Sequence, residues 1–144
     1  MPDIRHAILI DAPLERVHAL VSTGPGFAQW WAADVTENSS AGAVELGFFK
    51  RSTIYRLEPV TLSAPTEATW LCQTGKEWTG TTISFKLSRI EDRTLVRFEH
   101  AHWQAETDYF ISCNTTWGGL MFRLKTVAEG NAANPLFSFN GMAY

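Results

Sequence analysis

Between Phe110 and Val127 apolar side chains recur at steps of three and four: Phe110, Cys113, Trp117, Leu120, Met121, Leu124 and Val127. That spacing lays one apolar stripe along a helix, so the helix faces a core over its whole length. Thr107 or Asp108 stands where a cap would accept the first free amide protons, and Gly130 stands where a left-handed residue would end the helix. The result is a helix of about six turns. Gly118 and Gly119 lie inside it. Each costs roughly 1 kcal/mol against alanine, which predicts a bend or another backbone packed close at that point. The rest of the chain must supply an apolar surface of matching length.

The preceding residues supply it as strands. Ile4, His6, Ile8 and Ile10 share one face of a first strand, with Arg5, Ala7, Leu9 and Asp11 on the other. Asp11-Ala12-Pro13 offers an N-cap and a first-turn proline for a short helix whose face is Val17, Leu20 and Val21. Thr23-Gly24-Pro25-Gly26 breaks that helix, and Phe27 to Trp31 form a further turn before a strand begins near Asp34. Val44, Leu46 and Phe48 then alternate with polar or small residues, as do Tyr55 with Leu57, and Ala68 with Trp70 and Cys72. Thr81–Arg89 and Thr94–His102 form a hairpin about Glu91-Asp92-Arg93, with Ile83, Phe85 and Leu87 opposing Val96, Phe98 and His100. Lys86, Ser88, Arg97 and Glu99 fall on its outer face. One-sided alternation of this kind belongs to an antiparallel sheet with one wet face, and the long helix covers the other. The final irregular segment carries Phe137 and Phe139, which either staple the tail to the body or leave a mobile terminus.

Composition narrows the class of function. At 144 residues, 45% hydrophobic and 19% charged, the chain reads as a single domain with one sizeable core over residues 4–130 and a tail over 131–144. A net charge of −3 with scattered Lys and Arg gives no footprint for nucleic acid. No apolar run reaches the roughly 20 residues of a membrane span and no signal-peptide pattern opens the sequence, so a cytoplasmic protein is expected. Cys72 and Cys113 lack metal-ligand spacing and read as buried free thiols, with a disulfide or a reactive thiol as the alternatives. Ser22, Ser84 and Ser112 have no nucleophile elbow, and Thr23 to Phe27 lacks the lysine of a phosphate loop. Six Trp and nine Phe in so short a chain line either a dense core or an apolar cavity.

Residues 10–21 (Ile-Asp-Ala-Pro-Leu-Glu-Arg-Val-His-Ala-Leu-Val), Trp70 with Cys72, Glu77-Trp78-Thr79-Gly80-Thr81, Phe98-Glu99-His100 with Trp103, and Cys113 with Trp117 form an ordered set. Together they resemble the SRPBCC superfamily of START-like and birch-pollen-allergen-like proteins. Within it the resemblance is to the branch similar to the C-terminal domain of the activator of the 90-kilodalton heat-shock protein ATPase. The resemblance implies an α+β helix-grip fold: a curved antiparallel sheet of about six or seven strands wrapped on a long C-terminal helix, with two short helices after the first strand. It also implies an apolar cavity between sheet and helix, but no single activity, since the superfamily holds binders, cyclases, oxygenase domains and co-chaperone domains.

The residues expected to line that cavity are Trp30, with Trp31 as its alternative, Phe48, Tyr55, Trp70, Trp78, Phe85, Phe98, His100, Trp117 and Met121. The competing reading is that these side chains fill the space outright. Pairing of the first and last strands, as the resemblance implies, brings His6 near His100. Those two imidazoles with Cys72 are too few and too irregularly spaced for a metal site, so neither metal nor cofactor is expected. The leading expectation is binding of a hydrophobic small molecule, of lipid, polyketide or aromatic type, without chemistry. A co-chaperone-like module with a chaperone partner is the alternative, its surface formed by Leu71, Trp103, Phe137 and Phe139. A cyclase or dehydratase would use His100 as acid or base with Tyr55 beside it.

Overall fold

The computed structural model of the chain describes residues 1–38, 42–139 and 141. In chain order the elements are β1 (Ile4–Ile10), α1 (Leu14–Val21), α2 (Gly24–Trp30), β2 (Asp34–Asn38), β3 (Ala43–Phe48), β4 (Thr53–Thr61), β5 (Glu67–Cys72), β6 (Thr82–Ile90), β7 (Arg93–Ala101) and α3 (Asp108–Ala128). The seven strands make one curved antiparallel sheet in the order β1-β7-β6-β5-β4-β3-β2, so every neighbouring pair except β1–β7 is consecutive in sequence. The central hairpin has the expected register, Ile83 opposite His100, Phe85 opposite Phe98 and Leu87 opposite Val96. Alternation puts these six on the inner face, all buried, against α3. This is a helix-grip α+β fold.

The apolar stripe of α3 is buried throughout, from Phe110 and Cys113 through Trp117, Leu120, Met121 and Leu124 to Val127. Thr107 caps it, its hydroxyl accepting from Phe110 N at 3.1 Å. At the other end Arg16 of α1 donates to the carbonyls of Ala128 (2.6 Å) and Val127 (3.0 Å), and so satisfies two of the last carbonyls where the helix dipole favours a cation. Gly130 takes the left-handed conformation that stops the helix, with φ +85°.

Four local expectations are corrected. Asp11 does not cap α1: Pro13 occupies that position without a side-chain bond, and the Asp11 amide donates instead to Glu129 Oε2 at 2.8 Å. Gly24, Pro25 and Gly26 are not a gap between helices but the first turn of α2, because Thr23 accepts from Gly26 N at 3.0 Å and proline suits that turn. Gly118 faces a side chain rather than a backbone, its nearest neighbour for an added Cβ being His6 Cε1 at 3.7 Å. In the tail, Leu136 and Phe137 are the staple, Leu136 N donating to Trp30 O and Phe137 N to Trp31 O, while the Phe139 side chain is exposed.

Candidate functional site

The helix does not fill the whole concavity of the sheet. A cavity of about 240 Å³ lies beside the N-terminal half of α3, between that helix, β3, β4 and the β5–β6 loop. Its walls are aromatic: Trp31, Phe48, Tyr55, Trp78, Trp117 and Phe137, with the Tyr109 and Cys113 side chains of α3 closing one side. Ser112 and Thr116 give it a polar margin.

Each wall residue is placed by a local device. Trp78 sits in a turn tied by two bonds to its own carbonyl, from Thr81 N at 2.8 Å and Thr81 Oγ1 at 2.6 Å, while Thr79 Oγ1 donates to Gly75 O. Gly75 is at φ +118°, and a Cβ there would strike Tyr55 Cε1 at 2.5 Å, so only glycine lets the tyrosine ring lie against the turn. Tyr55 then stacks on Trp78 at 3.9 Å between centroids, with the planes 8° apart. At the mouth, Phe49, Lys50 and Arg51 are three successive left-handed residues joining β3 to β4. Such conformations cost L-residues about 1 kcal/mol each, and Arg51 offsets this through ion pairs to Asp34 (2.6 Å) and Glu45 (2.5 Å). The turn leaves Phe49 half-exposed on the rim, its ring edge-on to Phe137.

Polar chemistry in the cavity is sparse and uncharged. The hydroxyls of Tyr55 and Tyr109 are hydrogen-bonded to each other. Burial pushes Tyr55 up to about 12, and burial likewise raises Tyr109 and the Cys113 thiol. Among the described residues no Lys, Arg, His, Asp or Glu lines the walls. Among the described residues three buried side-chain nitrogens lack a hydrogen-bond partner, His6 Nε2, Trp78 Nε1 and Trp103 Nε1, and of these residues Trp78 alone belongs to the cavity wall.

Of the ten residues expected at the cavity, Phe48, Tyr55, Trp78 and Trp117 line it. Trp30, Trp70, Phe85, Phe98, His100 and Met121 are packed into the core instead. Trp30 and Trp70 turn their indole N–H groups onto α1, to Leu20 O at 2.8 Å and Val21 O at 3.0 Å. Of the alternatives Trp30 and Trp31, it is Trp31 that takes the cavity position. Tyr109, Cys113, Thr116 and Leu120 were not among the ten, yet their three- and four-residue spacing with Trp117 marks one face of α3, a signal present in the periodicity.

His100 has no freedom to act as an acid or base. The Trp117 indole, which can only donate, gives its proton to His100 Nδ1 at 3.1 Å. The neutral ring therefore carries its own proton on Nε2, which donates to Thr81 Oγ1 at 2.8 Å, and that hydroxyl donates to Trp78 O. Burial pushes the imidazole down to about 3. His6 pairs with Phe98 and so lies diagonal to His100 on the same face of the β1–β7 ladder, and no group of three or more His, Cys, Asp or Glu side chains converges among the described residues. Trp103, expected outside, is 1% exposed, because it packs edge-on to Phe110 and against His100.

A sheet gripping a C-terminal helix over an aromatic cavity is the architecture of the SRPBCC superfamily, and this chain has it. No family model and no curated protein matches the sequence. Solved structures do: the Aha1 dimer of Colwellia psychrerythraea superposes with a TM-score of 0.81 at 28% identity, over 92% of this chain and all of that one. By this likeness the chain is similar to Aha1-like proteins of this fold. BH1534 of Bacillus halodurans (TM-score 0.70, 19% identity, 90% of this chain and 98% of that one) shares the fold. So does CalU16 of Micromonospora echinospora (0.72, 16%, 92% and 68%).

Proposed function

We propose that the chain binds a hydrophobic small molecule in the cavity beside α3 and performs no chemistry on it. The observation that carries this reading is the cavity itself: aromatic walls, a neutral lining and a volume of about 240 Å³ that the side chains leave unfilled. That volume sits just under the roughly 300–1,000 Å³ of sites for drug-sized ligands, which suits a compound of one or two rings. Interiors normally leave few voids larger than a water molecule, so an aromatic-lined space of this size supports a ligand more than a packing defect. Titrating fatty acids, flavonoids and small polyketides while following tryptophan emission and melting temperature tests it. Saturable quenching with a rise in Tm is the expected result, and no response to any of them would overturn the reading.

The likeness to the Colwellia Aha1 supports a second reading, an interaction module acting on a chaperone ATPase. Of the surface expected for it, Phe139 is exposed, Leu71 and Phe137 are half-buried and Trp103 is buried; Phe49 and Phe122 are further exposed aromatics among the described residues. Adding the purified protein to a bacterial heat-shock ATPase of this type and measuring ATP turnover decides it. Stimulation supports the module, and an unchanged rate removes it.

A further inference from the structure

The cavity wall presents donor protons that no good acceptor takes up. Tyr55 and Tyr109 bring two hydroxyl protons, one of which is used between them, and beside Tyr109 stands the Cys113 thiol, a weak acceptor only. The Trp78 N–H, on a side chain only 5% exposed, has no partner at all. It faces the Cys113 thiol, which is a weak acceptor and does not complete a hydrogen bond. A buried donor left unpaired is costly, so a ligand that brings an acceptor gains more here than one that brings only carbon.

An anion is the strongest acceptor, but this wall is built against it. No cation lines the space, and the Glu77 carboxylate contributes a negative field at Tyr55 and Cys113. The burial that keeps Tyr55, Tyr109 and Cys113 protonated would act on a ligand carboxylate in the same place. The wall is also flat, with Tyr55 stacked on Trp78 and the Trp78 and Trp117 planes within 20° of each other. We infer that the ligand is an uncharged, planar aromatic carbonyl compound of about two fused rings, whose oxygen accepts the surplus proton of the Tyr55–Tyr109 pair.

This inference rests on the cavity-binding reading and sharpens it to a chemical class. Three probes of one shape separate the two claims: 2-acetylnaphthalene, 2-ethylnaphthalene and 2-naphthoate, each titrated at pH 7 by tryptophan quenching and calorimetry. Acetylnaphthalene is expected to bind about tenfold more tightly than ethylnaphthalene, with naphthoate the weakest of the three. The carbonyl stretch of the bound ketone should move to lower frequency. The double variant Tyr55→Phe/Tyr109→Phe keeps both rings and removes both partners at once, so it should fold, abolish the frequency shift and bring the two neutral affinities together. Equal affinities in the unaltered protein, or naphthoate binding most tightly, would overturn the carbonyl inference while leaving cavity binding intact, and this outcome needs no variant. Absence of saturable binding by all three would overturn both.

Discussion

His100 shows how one residue's surroundings decide its chemistry. On sequence alone it is a histidine on an inward strand face, read first as a core side chain and second as a proton shuttle. In the fold it is 0% exposed, with both nitrogens engaged by Trp117 and Thr81. The unfolded chain takes up a proton at this residue below about pH 6.5. The folded chain resists until about 3. Between those values the unfolded state binds more protons, so stability is full above the upper value and declines as pH falls. The expected slope from this one group steepens from about 0.7 kcal/mol between pH 7 and 6 to about 1.2 kcal/mol between pH 6 and 5, read as urea-unfolding free energies at those three values. In His100→Gln the amide can still accept from Trp117 and donate to Thr81, so the variant should fold and lose that slope. A variant with the unchanged slope would show that His100 is already protonated in the folded protein. Its position on the inward face was legible from alternation with Val96 and Phe98; its bonding was not, because Thr81 and Trp117 reach it only through strand register and helix placement.

At the scale of elements, periodicity gave α3 and the hairpin β6–β7 nearly to the residue, since a long amphipathic stripe and two alternating runs about a short polar turn each admit few alternatives. The glycines were harder, because their role depends on what lies opposite. Gly26 stands where α2 crosses α1, and a Cβ there would strike the Ala19 carbonyl and come within 2.8 Å of Leu20 Cα. Gly26→Ala should therefore destabilise by about 2 kcal/mol or more through forced separation of the two helices. Gly118 has only the His6 ring at van der Waals distance. Gly118→Ala should stabilise by about 0.5–1 kcal/mol through helix propensity and reduced unfolded-state entropy. Guanidinium unfolding midpoints check both. A destabilised Gly118→Ala would restore the idea that this glycine is needed for close packing.

For the whole molecule, the order of elements was enough to read a sheet wrapped on a final helix, but not where the sheet and helix part. That gap depends on side-chain volumes summed over several elements, and on details such as Trp31 rather than Trp30 turning toward α3. Six inward aromatic, imidazole and thioether side chains fill the floor, and the remaining walls stand apart at the end where Tyr109 and the β3–β4 turn meet. No helix among the described residues is long and apolar enough to cross a membrane. The central claim is that this space receives a hydrophobic molecule, and filling it from the protein side tests that most directly. Thr116 lines the cavity from a half-buried position on α3, so Thr116→Trp should occupy the space at little cost to the fold. Calorimetric titration of both proteins with 2-acetylnaphthalene and 2-ethylnaphthalene is the measurement: one saturable site in the unaltered chain and none in Thr116→Trp is the predicted result, whereas binding that survives the substitution, or no binding to either protein, would contradict it.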